Sequence, residues 1–235
     1  MYKKSTTGED FQQYSSVKDY LEIVYQKLYR KYGPQQWWPA ENPFEIALGA
    51  ILGQNTSWKN AEKALTSLKT ANILSPVKIQ QISEEQLAQL IYSSGSYNVK
   101  AKKIKSFVQF LSDQFNNDIE SFQDVGMNTL RQELLSVFGI GEETADDILI
   151  YIAKKPSFII DAYTRRIIDR LGLSPITKKY SSYKSLFMKN VQNNYQIFGE
   201  YHALLVALAK DTCKVNPVCM RCCLLSICQT GKNTR

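Results

Sequence analysis

An all-α fold is predicted by three features of the sequence. Apolar residues recur at helical spacing nearly everywhere, start and stop signals bracket those runs, and only four consecutive residues read as extended. Val17, Tyr20, Leu21, Val24, Tyr25 and Leu28 fall at i, i+3, i+4, i+7, i+8 and i+11, and Gly33-Pro34 stops the run. Asn42-Pro43-Phe44-Glu45 joins an N-cap, a proline at the first helical position and a capping-box acid, which predicts a helix through Leu52. Ser83-Glu84-Glu85-Gln86 repeats the start signal before Leu87, Leu90 and Ile91. Ile104, Phe107, Val108 and Leu111 place a helix over 99–115. Leu130, Leu134, Leu135 and Phe138 mark a helix ending at Gly139, and Ala145, Ile148, Leu149 and Ile152 mark another after Gly141. Further helices fit 162–171, 181–194 and 200–211, while Ser157-Phe158-Ile159-Ile160 alone reads as extended.

A chain of 235 residues holds one large domain or two small ones. With 44% hydrophobic and 22% charged residues it has an ordinary globular balance, which excludes a fibre, a disordered tail or a channel. The net charge of +7 suits a polyanionic partner. One histidine, His202, argues against a Ser-His-Asp hydrolase or a His-rich zinc site. Met1 to Asp10 carries two lysines but no apolar stretch behind them, so no secretory signal is expected. The longest apolar run, 148–153, is far short of the roughly 18 residues that span a bilayer, and a cytoplasmic protein is expected.

Three motifs carry chemistry. All five cysteines lie between Cys213 and Cys228, too crowded to staple a fold with disulfides. Cys213, Cys219, Cys222 and Cys228 can close on one metal centre, either tetrahedral zinc or a [4Fe-4S] cluster. The single Cys-x2-Cys with long arms on both sides favours the cluster. Cys223 is the alternative ligand; Cys222 is preferred because its spacing is regular. Second, Phe138-Gly139-Ile140-Gly141-Glu142 joins two helices as a helix-hairpin-helix. Its glycines let backbone amides at the second helix's N-terminus approach a phosphate. Third, Asp161 follows the apolar run 157–160 where a helix starts, as an N-cap and as a candidate base or cation stabiliser.

Together these features resemble the helix-hairpin-helix DNA glycosylases of the endonuclease III superfamily, over roughly residues 30 to 230. Gln54-Asn55-Thr56-Ser57 is similar to their DNA-facing segment, and Gly95-Ser96-Tyr97-Asn98-Val99-Lys100-Ala101 to their Gly-x-Tyr-Asn-x-Lys-Ala turn. The resemblance implies a six-helix barrel over 43–156 with its hairpin at about 135–153. It also implies a cluster domain made from 1–42 and 157–235, a cleft between the two, and a flipped base in that cleft. It further implies Asp161 as the catalytic acid, Cys213, Cys219, Cys222 and Cys228 around [4Fe-4S], and damaged double-stranded DNA as the partner of a monomer. Gly139, Ile140, Gly141, Thr144 and Lys100 are the expected DNA contacts.

Departures from the family pattern refine the expectation. Bifunctional members carry a lysine where this chain has Glu143, and the first cysteine spacing is one residue shorter than in typical endonuclease III. Both changes look more like the endonuclease III-type 3-methyladenine glycosylases. Trp37-Trp38-Pro39 resembles the aromatic approach to their base pocket. Ser94 and Ser96 are small where apolar wedges are often found, leaving Gln54 to fill the gap in the duplex. Lys100, Lys102, Lys103 and Lys105 read as a solvated face, His202 as a core or interhelical histidine, and Lys210 as a helix-dipole partner. The expected activity is monofunctional removal of alkylated purines. The alternatives are a bifunctional glycosylase/AP lyase for oxidised pyrimidines, a mismatch thymine glycosylase, and a non-catalytic DNA-binding module.

Overall fold

The computed structural model describes residues 15–38 and 40–233. Their helices are α1 (Val17–Tyr32), α2 (Pro43–Leu52), α3 (Trp58–Thr70), α4 (Pro76–Gln81), α5 (Glu84–Leu90), α6 (Tyr97–Phe115), α7 (Met127–Ser136), α8 (Glu142–Tyr151), α9 (Ala162–Arg170), α10 (Tyr180–Asn190), α11 (Tyr195–Asp211) and α12 (Gln229–Lys232). The fold is all-α, and no strand forms among the described residues, including 157–160. None of the described helices is long and apolar enough to cross a membrane. The chain divides into two compact units. One holds α2–α8 (Trp38–Lys155), and the other holds α1 and α9–α12 from the two chain ends.

In the α2–α8 unit, α2 is the central element. Asn42 Oδ1 accepts from the Glu45 amide at 3.0 Å and Pro43 supplies the preset first turn. Nearly the whole surface of α2 is buried, against α3, α6 and α8. The capping box at Ser83 and Gln86 forms both of its bonds and starts α5. Two helices escape the sequence reading. In α3, Ala61, Ala64, Leu65 and Leu68 are all buried at i, i+3, i+4 and i+7, a pattern the small alanines make faint. In α4, Ser75-Pro76 is the start signal, with Ser75 capping the Lys78 amide.

The other unit packs α11 on α1 and α9. Stretch 157–160 is extended yet serves as an apolar wall. Phe158 stacks on Phe187 with centroids 3.7 Å apart, and the edges of Phe198 and Tyr201 close around it. Two buried tyrosines tie distant backbone together: Tyr20 Oη donates to the Ile227 carbonyl at 2.7 Å and Tyr201 Oη to Leu21 at 2.8 Å.

Several boundaries differ from the periodicity. Helix α6 starts at Tyr97, two residues before the expected 99, because Ser96 takes the left-handed conformation (φ 46°) and turns the chain into it. Helix α7 stops at Ser136, so Phe138 lies in the connection. Asn194 ends no helix. Its side chain accepts from the amides of Gln196 and Ile197, so it starts α11 at Tyr195 rather than at 200, and α10 ends at Asn190.

Candidate active site

Asp161 ends the apolar wall and caps α9. Its Oδ1 accepts the Thr164 amide at 2.6 Å. Its Oδ2 lies 3.6 Å from His202 Nε2, and both side chains are largely buried. His202 is a buried residue of α11 as expected, but its imidazole faces the carboxylate, which no periodicity could show. Burial pushes the Asp161 carboxyl up, but the nearby His202 imidazole and the bonds from Thr164 outweigh it. The net result lies below the usual carboxylate value. The residue is therefore a buried anion with each oxygen already oriented.

In the α2–α8 unit the hairpin between α7 and α8 is held from below. Gly139 has φ +89°, and a Cβ there would meet Lys103 Cγ at 2.1 Å, so only glycine fits. Gly141 N-caps α8 in extended backbone with open space where a Cβ would stand, and no side chain caps this turn. That leaves the first amides of α8 in the orientation that favours an anion. Ile140 and Thr144 are buried, so their side chains are not exposed DNA contacts. Arg131 of α7 reaches Asp146 of α8 with Nε to Oδ1 at 2.9 Å, and Asp146 is 0% exposed.

The lysines of α6 correct the expectation of a solvated face. Lys100 is 3% exposed, and its ammonium donates to the carbonyls of Leu52 at 2.7 Å and Ser94 at 2.6 Å. Lys105 donates to Ile79, Gln80 and Ile82. Both satisfy carbonyls that the ends of α2 and α4 leave without helical partners. Burial pulls Lys100 down to about 8, and a buried ammonium spent on carbonyls is not a phosphate contact. Lys103 turns to Gln54, and only Lys102 keeps a mostly exposed side chain. Gln54 itself is engaged at both ends: Nε2 donates to Gly139 O at 3.0 Å and Thr144 Oγ1 at 2.9 Å, and Oε1 accepts from Lys103. Filling a gap in a duplex would break these bonds.

Four cysteines, Cys213, Cys219, Cys222 and Cys228, line one pocket with Arg170, Thr212, Pro217, Leu225, Thr230 and Gly231. Cys223 is not on its lining. Arg170 Nη1 donates to Cys213 Sγ at 3.2 Å and the Leu224 amide to Cys222 Sγ at 3.4 Å. Hydrogen bonding from Cys223 lowers Cys222 to about 6 against the opposing effect of burial. No three acidic, histidine or cysteine side chains among the described residues close on a single ion. Four thiols lining one pocket are a donor set that an iron–sulfur cluster takes. Arg170 of α9, which no sequence signal marks, and Arg166, which the sequence leaves between an ion pair and a DNA contact, clasp the loop start through the carbonyls of Cys213, Lys214 and Val215.

Residues 48–193 match the HhH-GPD superfamily of base excision DNA repair proteins. The chain belongs to that superfamily. It is 43% identical to the protein MJ1434 of Methanocaldococcus jannaschii, named as a DNA repair glycosylase, over 87% of this chain and 94% of that one. It is 30% identical to endonuclease III of Sulfolobus acidocaldarius over 80% and 82% of the two chains. The crystal structure of the Helicobacter pylori 3-methyladenine DNA glycosylase bound to 1,N6-ethenoadenine superposes with a TM-score of 0.70 at 29% identity, covering 83% of this chain and 97% of that one. The protein is a DNA N-glycosylase of base excision repair.

In this glycosylase the two tryptophans have different surroundings. Trp38 packs edge-on against Trp58 (5.2 Å) and Tyr151 (5.7 Å), and its ring lies so close to α2 that a Cβ on Gly49 would meet it at 2.9 Å. Trp37 instead has Lys210 Nζ 5.5 Å from its ring centroid, which gives that lysine a partner beyond the helix dipole. Pro39 lies outside the described residues. Glu143 is exposed in the first turn of α8, beside Glu142.

Proposed function

We propose that this glycosylase is monofunctional and removes alkylated purines of the 3-methyladenine type from double-stranded DNA, extruding the base and hydrolysing its glycosidic bond with water. Glu143 carries the assignment. A lyase needs an amine with a free lone pair to form a Schiff base with the sugar, and a carboxylate in the first turn of α8 supplies none. The 3-methyladenine glycosylase among the solved relatives supports the substrate class. The flat, electron-rich rings of Trp37 and Trp38 suit a cationic methylated purine.

A purine methylated at a ring nitrogen is already cationic and leaves with the electron pair of the C1′–N bond, needing little acid assistance. What the site supplies is negative charge beside the developing oxocarbenium ion, and the buried Asp161 carboxylate is that charge. Water then bonds to C1′ and gives its proton to Asp161. Base release should leave an intact abasic site, with no nick and no borohydride-trapped adduct. Efficient trapping would move the protein to the bifunctional class.

Cys213, Cys219, Cys222 and Cys228 would hold a [4Fe-4S] cluster, which when bound cross-links the loop after α11. Cys222→Ser is expected to reduce bound iron far more than Cys223→Ser, read as iron per protein after anaerobic purification. Equal losses would put Cys223 among the ligands. The hairpin amides from Gly139 to Gly141 would grip phosphate. Gly141→Val, with open space around its Cβ, should melt like wild type yet lose about tenfold in DNA affinity. Gly139→Val should instead lower the melting temperature, because its side chain enters Lys103 in a left-handed backbone.

A further inference from the structure

Tyr92 opens a 3-10 turn at Tyr92–Ser94 and is 67% exposed, more than any other large apolar side chain described in its unit. Its ring rests on Tyr97, with centroids 4.7 Å apart. The turn beneath it is rigid. Ser93 Oγ donates to Asn60 O at 3.1 Å and Ser94 Oγ to Ile91 O at 2.7 Å. Lys100 binds Ser94 O and Leu52 O together, which ties the turn to the loop carrying Gln54. Lys103, on the same helix, lies under Gly139 and donates to Gln54, which donates to Gly139 O. Helix α6 therefore ties the turn, the Gln54 loop and the hairpin together through Lys100 and Lys103.

These elements present apolar groups to solvent. Val99, one helical turn before Lys103, is exposed, and so is Phe138 beside Gly139. Large aromatics left in water next to a phosphate-binding hairpin are what stacking on bases uses, since every base offers a π-face. A tyrosine suits the task because its ring is apolar while its hydroxyl keeps a polar partner. Phe138 adjoins the amides that would hold the backbone, whereas Tyr92 stands on a separate turn.

We propose that Tyr92 is the side chain that enters the base stack where the extruded nucleotide has left, its ring stacking on the base of the opposite strand. The assignment rests on the base extrusion proposed above and not on which base is damaged. It is tested with the full-length protein and a duplex carrying a tetrahydrofuran abasic site opposite 2-aminopurine, a probe with no base to excise. Wild type should quench the 2-aminopurine fluorescence. Tyr92→Ala should abolish the quenching and weaken binding to the abasic duplex about tenfold, with less than about twofold change on undamaged duplex. Tyr92→Trp should restore both, and because residue 92 is exposed each variant should melt like wild type. Quenching and affinity retained by Tyr92→Ala would overturn the proposal, as would their loss in Phe138→Ala alone. A glycosylase that proved inactive on alkylated purines would leave all these readouts unchanged.

Discussion

Asp161→Asn is expected to lower base release by a hundredfold or more in single-turnover assays on methylated DNA while leaving DNA affinity within about twofold. The amide keeps the shape and can still cap Thr164, so α9 is preserved and only the charge is lost. Base release by Asp161→Asn at the wild-type rate would remove Asp161 from the reaction. The same carboxylate sets a pH dependence. Its folded value lies below the usual one, so it stays ionised, and the enzyme active, until the pH falls below the ordinary carboxylate range. The sign for stability follows. A carboxylate depressed in the folded state contributes stability that is present above its unfolded value and lost as pH falls through the folded one. His202→Gln removes the partner that opposes burial and should shift the acid limb of the rate profile upward. An unmoved limb would mean that the 3.6 Å pairing with His202 does not govern the charge.

Arg131→Ala should destabilise the fold strongly, by about 3–5 kcal/mol measured as the shift in urea midpoint. It leaves the Asp146 carboxylate, 0% exposed, without its guanidinium inside the packing of α7 against α8. The loss comes from a buried charge deprived of its guanidinium rather than from the worth of the pair. Arg131→Met combined with Asp146→Leu should therefore recover most of it. A double variant as unstable as Arg131→Ala would show that the ion pair itself supplies the stability.

Much of this molecule is legible in one dimension. Apolar spacing and the start signals at Asn42 and Ser83 determine most of the helices, because helix formation is decided within four residues along the chain. The Gly139-to-Gly141 turn, Asp161 after its apolar wall and the cysteine spacing are likewise local patterns. They were sufficient for the family, to which the chain belongs. Where the reading slipped, long-range partners decided. Lysines at 100, 103 and 105 look like a solvated face because charge is their only visible property. What engages two of them is the carbonyl ends of α2 and α4, up to 48 residues away. Gln54 looks free until Gly139, Thr144 and Lys103 are brought to it.

His202 and Tyr92 mark the same boundary from opposite sides. His202 on an apolar helix reads as core, and only the packing of α11 on α9 turns it toward Asp161. Tyr92 carries no mark of its own in the sequence, and only the 3-10 turn after α5 leaves it in water. The sequence by itself determined most of the helices and the turn between α7 and α8, and it marked Asp161 and the cysteines, because each depends on neighbours within a turn or a short loop. Which of those charges are buried, which oxygen faces which nitrogen and which ring meets solvent were decided by tertiary structure, because burial and pairing depend on residues that the chain brings together only when it folds.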